Sequence, residues 1–199
     1  MIKIDNLSVC FSNIVINYPN KTFKKNKATF ITGRNGVGKT TLLKSLARLL
    51  KYEGSIAYQG VATYLSQEPT LFNRSVYENI VYPLRIRQCN LDLYNPEIFT
   101  YAKMLELDHL LYQNAKTLSS GEKMKTAFLR SIIFSPDLVL LDEPTTHLDI
   151  ESIEQITQLI QTLKKTMTFL IISHNKSFLS ALKDDEYYLG GSHVQRKND

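Results

Sequence analysis

The chain has 199 residues, 43% of them hydrophobic, and carries 24 Lys and Arg against 19 Asp and Glu for a formal net charge of +5. That length suits one compact domain with an attached subdomain, and it leaves no room for two such units. No apolar stretch approaches the roughly 20 residues that cross a bilayer, the N-terminus does not read as a signal peptide, and Cys10 and Cys89 form no metal-ligand pattern, so a reducing, cytosolic setting is expected. The lysine runs at Lys24, Lys25 and Lys27 and at Lys164 and Lys165 read as a solvated turn and a helix C-terminus, and no nucleic-acid site is expected.

Residues 1 to about 58 read as an antiparallel β region leading into a glycine-rich loop. The apolar run Ala28 to Ile31 is a buried strand entering the loop Gly33-Arg34-Asn35-Gly36-Val37-Gly38-Lys39-Thr40-Thr41, and Leu42 to Leu50 is the helix leaving it. Gly33, Gly36 and Gly38 allow the tight turn that aims consecutive N–H groups inward, and the helix dipole adds attraction for an anion. In such a loop Lys39 reaches the β- and γ-phosphates of a nucleotide, and the Thr40 hydroxyl ligates Mg2+.

From about residue 68 the pattern turns helical, opened by Val76 to Tyr82, and aromatic residues gather at Tyr77, Tyr82, Tyr94, Phe99, Tyr101 and Tyr112, mostly as packing groups. After Leu118-Ser119-Ser120-Gly121-Glu122, the spacing of Met124, Phe128, Leu129, Ile132 and Ile133 predicts a helix with Ser119 to Gly121 at its amino end. Val139 to Leu141 predicts a central parallel strand, which puts Asp142 and Glu143 at its carboxyl end. An acidic pair there serves equally as a helix cap with a first-turn charge, but Pro144 discourages an immediate helix. With a phosphate loop in the chain, Asp142 suits the Mg2+ hydration shell and Glu143 suits accepting a proton from an attacking water. Ile153, Ile156, Leu159, Ile160 and Leu163 predict an amphipathic helix, Thr168 to Ile172 a strand followed by His174, and Gly190-Gly191 a turn before a polar tail with no further domain.

The three segments Gly33 to Thr41, Leu118 to Glu122 and Leu138 to Glu143 together resemble ATP-binding-cassette (ABC) ATPases, and the match runs over nearly the whole chain in that family's order. The resemblance implies an α/β fold with a P-loop NTPase core, an antiparallel β subdomain and an inserted helical subdomain at about 68–118, all within one domain spanning 1–199. It implies phosphate contacts from Gly33, Asn35, Gly36, Gly38, Lys39, Thr40 and Thr41. Gln67 resembles the Q-loop glutamine that touches metal and attacking water, and His174 the switch histidine at the γ-phosphate. Ser119, Ser120, Gly121 and Glu122 resemble the signature loop that reaches a partner's ATP, and Asp149 lies in a segment like the D-loop. Phe11 sits where the family places an aromatic ring on adenine, with Tyr18 a nearby alternative. The signature departs from the usual pattern at Ser120 and Glu122, as do Arg34 in the P-loop and Asn175 after the histidine.

Implied with the fold are ATP and Mg2+, a second cassette closing head to tail in a homodimer, a transmembrane permease subunit, and room for a substrate-binding protein beyond it. Such a subunit is cytoplasmic and peripheral on the inner face of the cell membrane. Leu71 to Ile80 is similar to oxyanion-importer cassettes, and Gln113 to Thr117 lacks the Glu-Arg-Gly pattern of many exporters, which leans toward import. The alternative is a soluble ABC protein acting on the ribosome or in nucleic-acid maintenance, since Asp142 to Asp149 and Ser173 to Leu179 resemble the ribosomal branch.

Overall fold

A computed structural model describes residues 1–190 and the strand Val194–Arg196. Of the expected terminal turn and polar tail, Gly191 and the residues around that strand lie outside the described residues. The described chain forms two sheets, one antiparallel and one parallel.

In the antiparallel sheet, β1 (Ile2–Phe11) pairs with β2 (Ile14–Asn17), β3 (Lys21–Phe23) and β5 (Glu53–Ala57), and β2 pairs with β10 (Val194–Arg196). Ile2 and Ile4 are buried, then Leu7 and Val9, so the inward set shifts phase within one strand. The cause is a bulge between Asp5 and Ser8, where Asn6 takes φ 47 and the register against β5 slips.

The parallel sheet runs β6 (Ala62–Leu65), β7 (Leu138–Asp142), β8 (Thr168–Ile172), β4 (Ala28–Gly33), β9 (Asp185–Leu189), with every neighbouring pair parallel. Every residue of β7 and β8 is buried, as expected of strands covered on both faces. Alternation divides them between two cores. Val139, Leu141, Phe169 and Ile171 join one with Phe128 and Phe178, while Leu138, Leu140, Leu170 and Ile172 join another with Phe23 and the helix that follows the phosphate loop. Each such side chain contributes about 1.5–3 kcal/mol by leaving water.

That helix, α1 (Lys39–Leu46), is shorter than the expected run to Leu50. Arg48 adopts φ 59, its N–H donates to Ser45 O at 2.9 Å and the Leu49 N–H to Lys44 O at 2.8 Å, which closes the helix and leaves Leu49 exposed. Apolar periodicity could not show this end, because the left-handed residue is an arginine rather than glycine.

Between β6 and β7, adjacent in the sheet, the chain inserts α2 (Val76–Ile86), α3 (Leu91–Met104), two short 3-10 turns and α4 (Ser120–Ile132). A reciprocal cap starts α2: Ser75 Oγ accepts the Glu78 N–H, and the Glu78 carboxylate accepts the Ser75 N–H. Fully buried Asn79 clasps the preceding loop, accepting from Phe72 N and donating to Phe72 O and Ser75 O. Helices α5 (Ile150–Leu163) and α6 (Lys176–Leu182) follow β7 and β8. Among the described residues no helix is long and apolar enough to cross a membrane.

Candidate functional site

The loop between β4 and α1 is shaped by contacts that only glycine permits. At Gly33, φ is 142 and an added Cβ would lie 2.3 Å from the Leu189 carbonyl oxygen; at Gly38, φ is 100 and it would press on the Tyr18 hydroxyl at 2.9 Å. Gly38 caps α1 with no side-chain hydrogen bond, so the first-turn N–H groups remain available to an anion. Lys39 is buried, and its Nζ donates to Gly33 O at 2.9 Å and Arg34 O at 3.1 Å, holding the ammonium over the loop.

Asp142, at the end of β7, is buried and has a donor on each oxygen: Thr40 Oγ1 lies 3.2 Å from Oδ1, and the Tyr64 hydroxyl 2.9 Å from Oδ2. Burial, then the neighbouring Asp142 charge, pushes the Tyr64 phenol well above its usual range, so it remains a neutral donor. Sequence reasoning missed Tyr64. Its one legible signal is a phenol within strand β6, three positions before Gln67.

Glu143 takes φ 53, an uncommon conformation for a side-chain-bearing residue, stabilised by its N–H donating to Ile172 O at 2.9 Å. Its carboxylate faces His174 twice. Oε2 accepts the His174 N–H at 3.2 Å, and Oε1 is 3.4 Å from Nε2.

These groups meet in one cavity of about 620 Å³ lined by Asn35, Gly36, Gly38, Lys39, Thr40, Thr41, Gln67, Asp142, Glu143 and His174. Gly33 lies just outside that lining, tied to it through Lys39. The apolar wall comes from Ile16 and Ile172, neither of which the sequence singled out for the site. Phe11 is not brought onto this wall. It ends β1 opposite Ile14 and is 44% exposed, a free ring on the same sheet as Ile16. Tyr18, the alternative ring, is excluded from stacking because it is only 4% exposed and its hydroxyl donates to Gly38 O at 2.9 Å. Its role is to support the loop from beneath.

Among the described residues no three His, Cys, Asp or Glu side chains cluster as a metal cage. Thr40 and Asp142 instead offer hard oxygen donors beside a phosphate loop, the set with which Mg2+ is held when nucleotide phosphates complete its shell.

The signature-like segment lies in a separate depression of about 270 Å³, lined by Ser119, Ser120, Gly121, Glu122, Lys125, His147, Leu148, Asp149 and Ser152. It shares no lining residue with the first cavity. Ser119 caps α4 and forms a second reciprocal pair: its N–H donates to Glu122 Oε2 at 2.7 Å, and its Oγ accepts the Glu122 N–H at 3.3 Å. The Ser119 N–H holds the Glu122 carboxyl below the usual carboxylate range. Glu122, where the family usually has glutamine, thus keeps the reciprocal cap that either residue can form. The Ser119 hydroxyl keeps its own proton free to donate. Asp149 caps α5, and the donating Ser152 keeps its carboxyl low. A Cβ at Gly121 would sit 3.3 Å from His147 O, so the two segments lie against each other.

A third cavity, about 630 Å³, runs between β6, α2 and α4. Phe72, Tyr82, Ile86 and Phe134 line it together with Arg87 and Arg130. The Arg87 guanidinium lies 3.8 Å from the Phe134 ring centroid, and Arg130 donates to Thr70 O at 2.8 Å. Of the six aromatic residues gathered in this region of the sequence, only Tyr82 lines the groove. Tyr77 stacks instead on Phe99 with ring centroids 6.5 Å apart.

A family model described as ABC transporter matches residues 16–146. The tungstate uptake system ATP-binding protein TupC of Peptoclostridium acidaminophilum is 32% identical over 205 residues, covering 97% of this chain and 96% of that one. The phosphate import ATP-binding protein PstB of Desulfitobacterium hafniense is 30% identical over 199 residues, covering 86% of this chain and 77% of the relative. Among solved structures, an RNase-L inhibitor superposes with a TM-score of 0.82 at 24% identity, over 99% of this chain and 39% of that one. At that identity the likeness speaks of fold alone.

Proposed function

The chain belongs to the ABC transporter family, and we propose that it is the ATP-hydrolysing subunit of an importer that carries an oxyanion through a separate membrane permease. It binds ATP and is an ATPase. Import is supported by similarity to subunits named for tungstate uptake and phosphate import. We read 1–199 as one ATPase domain, with residues of about 68–118 as its inserted helical subdomain.

One observation carries the dimeric reading: the phosphate-loop cavity and the signature depression have no lining residue in common. A single chain then presents two half-sites. Two copies closing head to tail would put Ser119 and the Gly121 N–H of one against the γ-phosphate held by the loop of the other, with Asp149 at the seam. The amino end of α4 adds its dipole to that contact.

Within the cavity, the loop N–H groups and Lys39 bind the β- and γ-phosphates, which requires Lys39 to exchange its carbonyl partners for phosphate oxygens. Phe11 offers a ring for adenine. Thr40 and Asp142, with Gln67 at the rim, would hold Mg2+, which when bound offsets charge on the phosphate oxygens. Water attacks the γ-phosphorus, the bond to the β–γ bridging oxygen breaks, and Glu143 takes the water proton. His174 aims the Glu143 carboxylate through its backbone N–H, and its ring, 3.4 Å from that carboxylate, would contact the γ-phosphate once ATP is bound.

The groove at Phe72, Tyr82, Ile86 and Phe134 suits an apolar helix of the permease, and Arg87 and Arg130 favour one that also bears a carboxylate. The subunit would accordingly work as a peripheral protein on the inner face of the cell membrane. The test is reconstitution in vesicles with the permease that co-purifies from membranes. ATP-dependent accumulation of tungstate or phosphate supports the reading, and hydrolysis that ignores both permease and oxyanion overturns it.

A further inference from the structure

We propose that Tyr64 is a positioning residue for hydrolysis, its hydroxyl fixing the Asp142 carboxylate so that Oδ1 is kept for Thr40 and the metal. The proposal rests on the ATPase reading of the cavity and concerns a side chain outside the phosphate loop, signature and switch segments.

The geometry divides the carboxylate between two donors. Thr40 Oγ1 addresses Oδ1 at 3.2 Å and the Tyr64 hydroxyl addresses Oδ2 at 2.9 Å, and among the described residues no other hydrogen-bond donor reaches the Asp142 carboxylate. Asp142 is 4% exposed, so water cannot readily replace a missing partner. Without the phenol, Oδ2 would be left buried and unsatisfied, and the carboxylate would be free to rotate about its terminal torsion, which is broad and two-fold. The donor type also fits. A lysine or arginine in this place would pair with the carboxylate and cancel the charge that attracts a cation, whereas a neutral phenol orients it and leaves the charge in place.

Strand register explains how Tyr64 comes to do this. Tyr64 pairs with Leu140, two residues before Asp142 on β7, and Thr63 with Val139. Alternation turns Ala62 and Tyr64 toward the core around α1, the helix that carries Thr40, while Leu65 packs into the opposite core. A long side chain at position 64 therefore reaches along the sheet toward the carboxyl end of β7 on the same face as Thr40. Leucine or valine at position 64 would fill part of the same space with no donor.

Tyr64→Phe removes the hydroxyl and retains the ring. In the ATP-loaded chain, Mn2+ is the probe, read by electron paramagnetic resonance, and ATP affinity in excess EDTA is measured beside it. The expected result is a Mn2+ dissociation constant raised about tenfold, the scale of losing a partner of a metal ligand, with metal-free ATP affinity changed by less than about twofold. The Mg2+ concentration for half-maximal hydrolysis should rise in step, and saturating Mg2+ should restore most of the rate. A metal constant equal to wild type, or an equal loss of metal-free ATP binding, overturns the role of Tyr64 alone. A wild-type chain that binds no Mn2+ with ATP overturns the cavity reading and this role together.

Discussion

The Glu143 carboxylate is gripped from one direction by His174, whose backbone N–H donates to Oε2 at 3.2 Å while its ring nitrogen Nε2 lies 3.4 Å from Oε1. Glu143 reaches this position from a left-handed backbone conformation, φ 53, directly after the buried end of β7. A strained residue whose side chain is held by the next strand's exit loop is aimed, and aim matters to a proton acceptor. Glu143→Gln keeps an oxygen for the His174 N–H and removes the basic site. Hydrolysis should fall by at least about 10²-fold, with ATP affinity retained and an ATP-bound dimer accumulating on size exclusion. Near-normal turnover by this variant would return Glu143 to a structural role.

The phosphate loop's shape gives a stability prediction. Gly33→Ala places a Cβ 2.3 Å from the Leu189 carbonyl at φ 142, so backbone must move, whereas Gly38→Ala meets side-chain atoms of Tyr18 and Ile16. Gly33→Ala should cost about 3 kcal/mol in chemical denaturation and Gly38→Ala less, since side chains yield more readily than a strand. Equal midpoints for both variants and wild type would mean that β9 does not pack on the loop as described.

Much of this was legible beforehand, for identifiable reasons. Strands β7 and β8 are buried throughout and announce themselves as unbroken apolar runs, and the signature's place at the start of α4 follows from the spacing of Met124, Phe128 and Ile132. The reciprocal cap of Ser119 and Glu122 is a four-residue pattern that sequence can carry. The Tyr64 bond to Asp142 could not be read, because it joins residues 78 apart and depends on strand register. The end of α1 was obscured by an arginine in a glycine-like conformation. Tyr18 stands in the sequence as a nearby alternative to Phe11, and only burial separates the two rings.

That cap has a pH signature. The Glu122 carboxyl is held below its ordinary value of 4.5, chiefly by the Ser119 N–H. A depressed carboxyl contributes stability that is present above the ordinary value and lost as pH falls through the folded-state value. Glu122→Gln preserves an acceptor without the charge. At pH 7 it should be less stable than wild type by about 0.5 kcal/mol, a modest figure because the group is partly exposed and screened. The gap should close as pH falls below the carboxylate range. Denaturant midpoints of both proteins across that range check the sign, and a gap that widens in acid would contradict it.

Phe11 offers a narrower test. It is exposed at the end of β1, beyond the cavity lining, and stacking on adenine would be its only contact with the nucleotide. Phe11→Ala should weaken ATP binding by roughly 1 kcal/mol, the value of an ordinary aromatic contact, and leave the affinity for inorganic triphosphate unchanged. Equal loss for both ligands would mean that Phe11 supports the sheet and does not contact the base.

The proposed sharing of the site between two copies gives the most discriminating prediction. Ser119→Arg puts bulk and charge where the signature would meet the partner's γ-phosphate, and Lys39→Ala removes the ammonium that sits 2.9 Å from Gly33 O in the chain's own loop. Each homodimer carries the same lesion in both composite sites and should be inactive. In a mixed dimer, the site built from the mutated loop and the mutated signature carries both lesions, and the other is intact. Mixing should therefore restore hydrolysis, toward about one quarter of the wild-type rate per total chain for random pairing of equal amounts when one site fires alone. Protein concentration must be high enough for the dimer to form, or the permease must hold the two copies together. The concentration dependence of the wild-type rate supplies that control. Full activity of Ser119→Arg by itself would mean that each chain completes its site alone, and the separate signature depression would then have no part in the reaction.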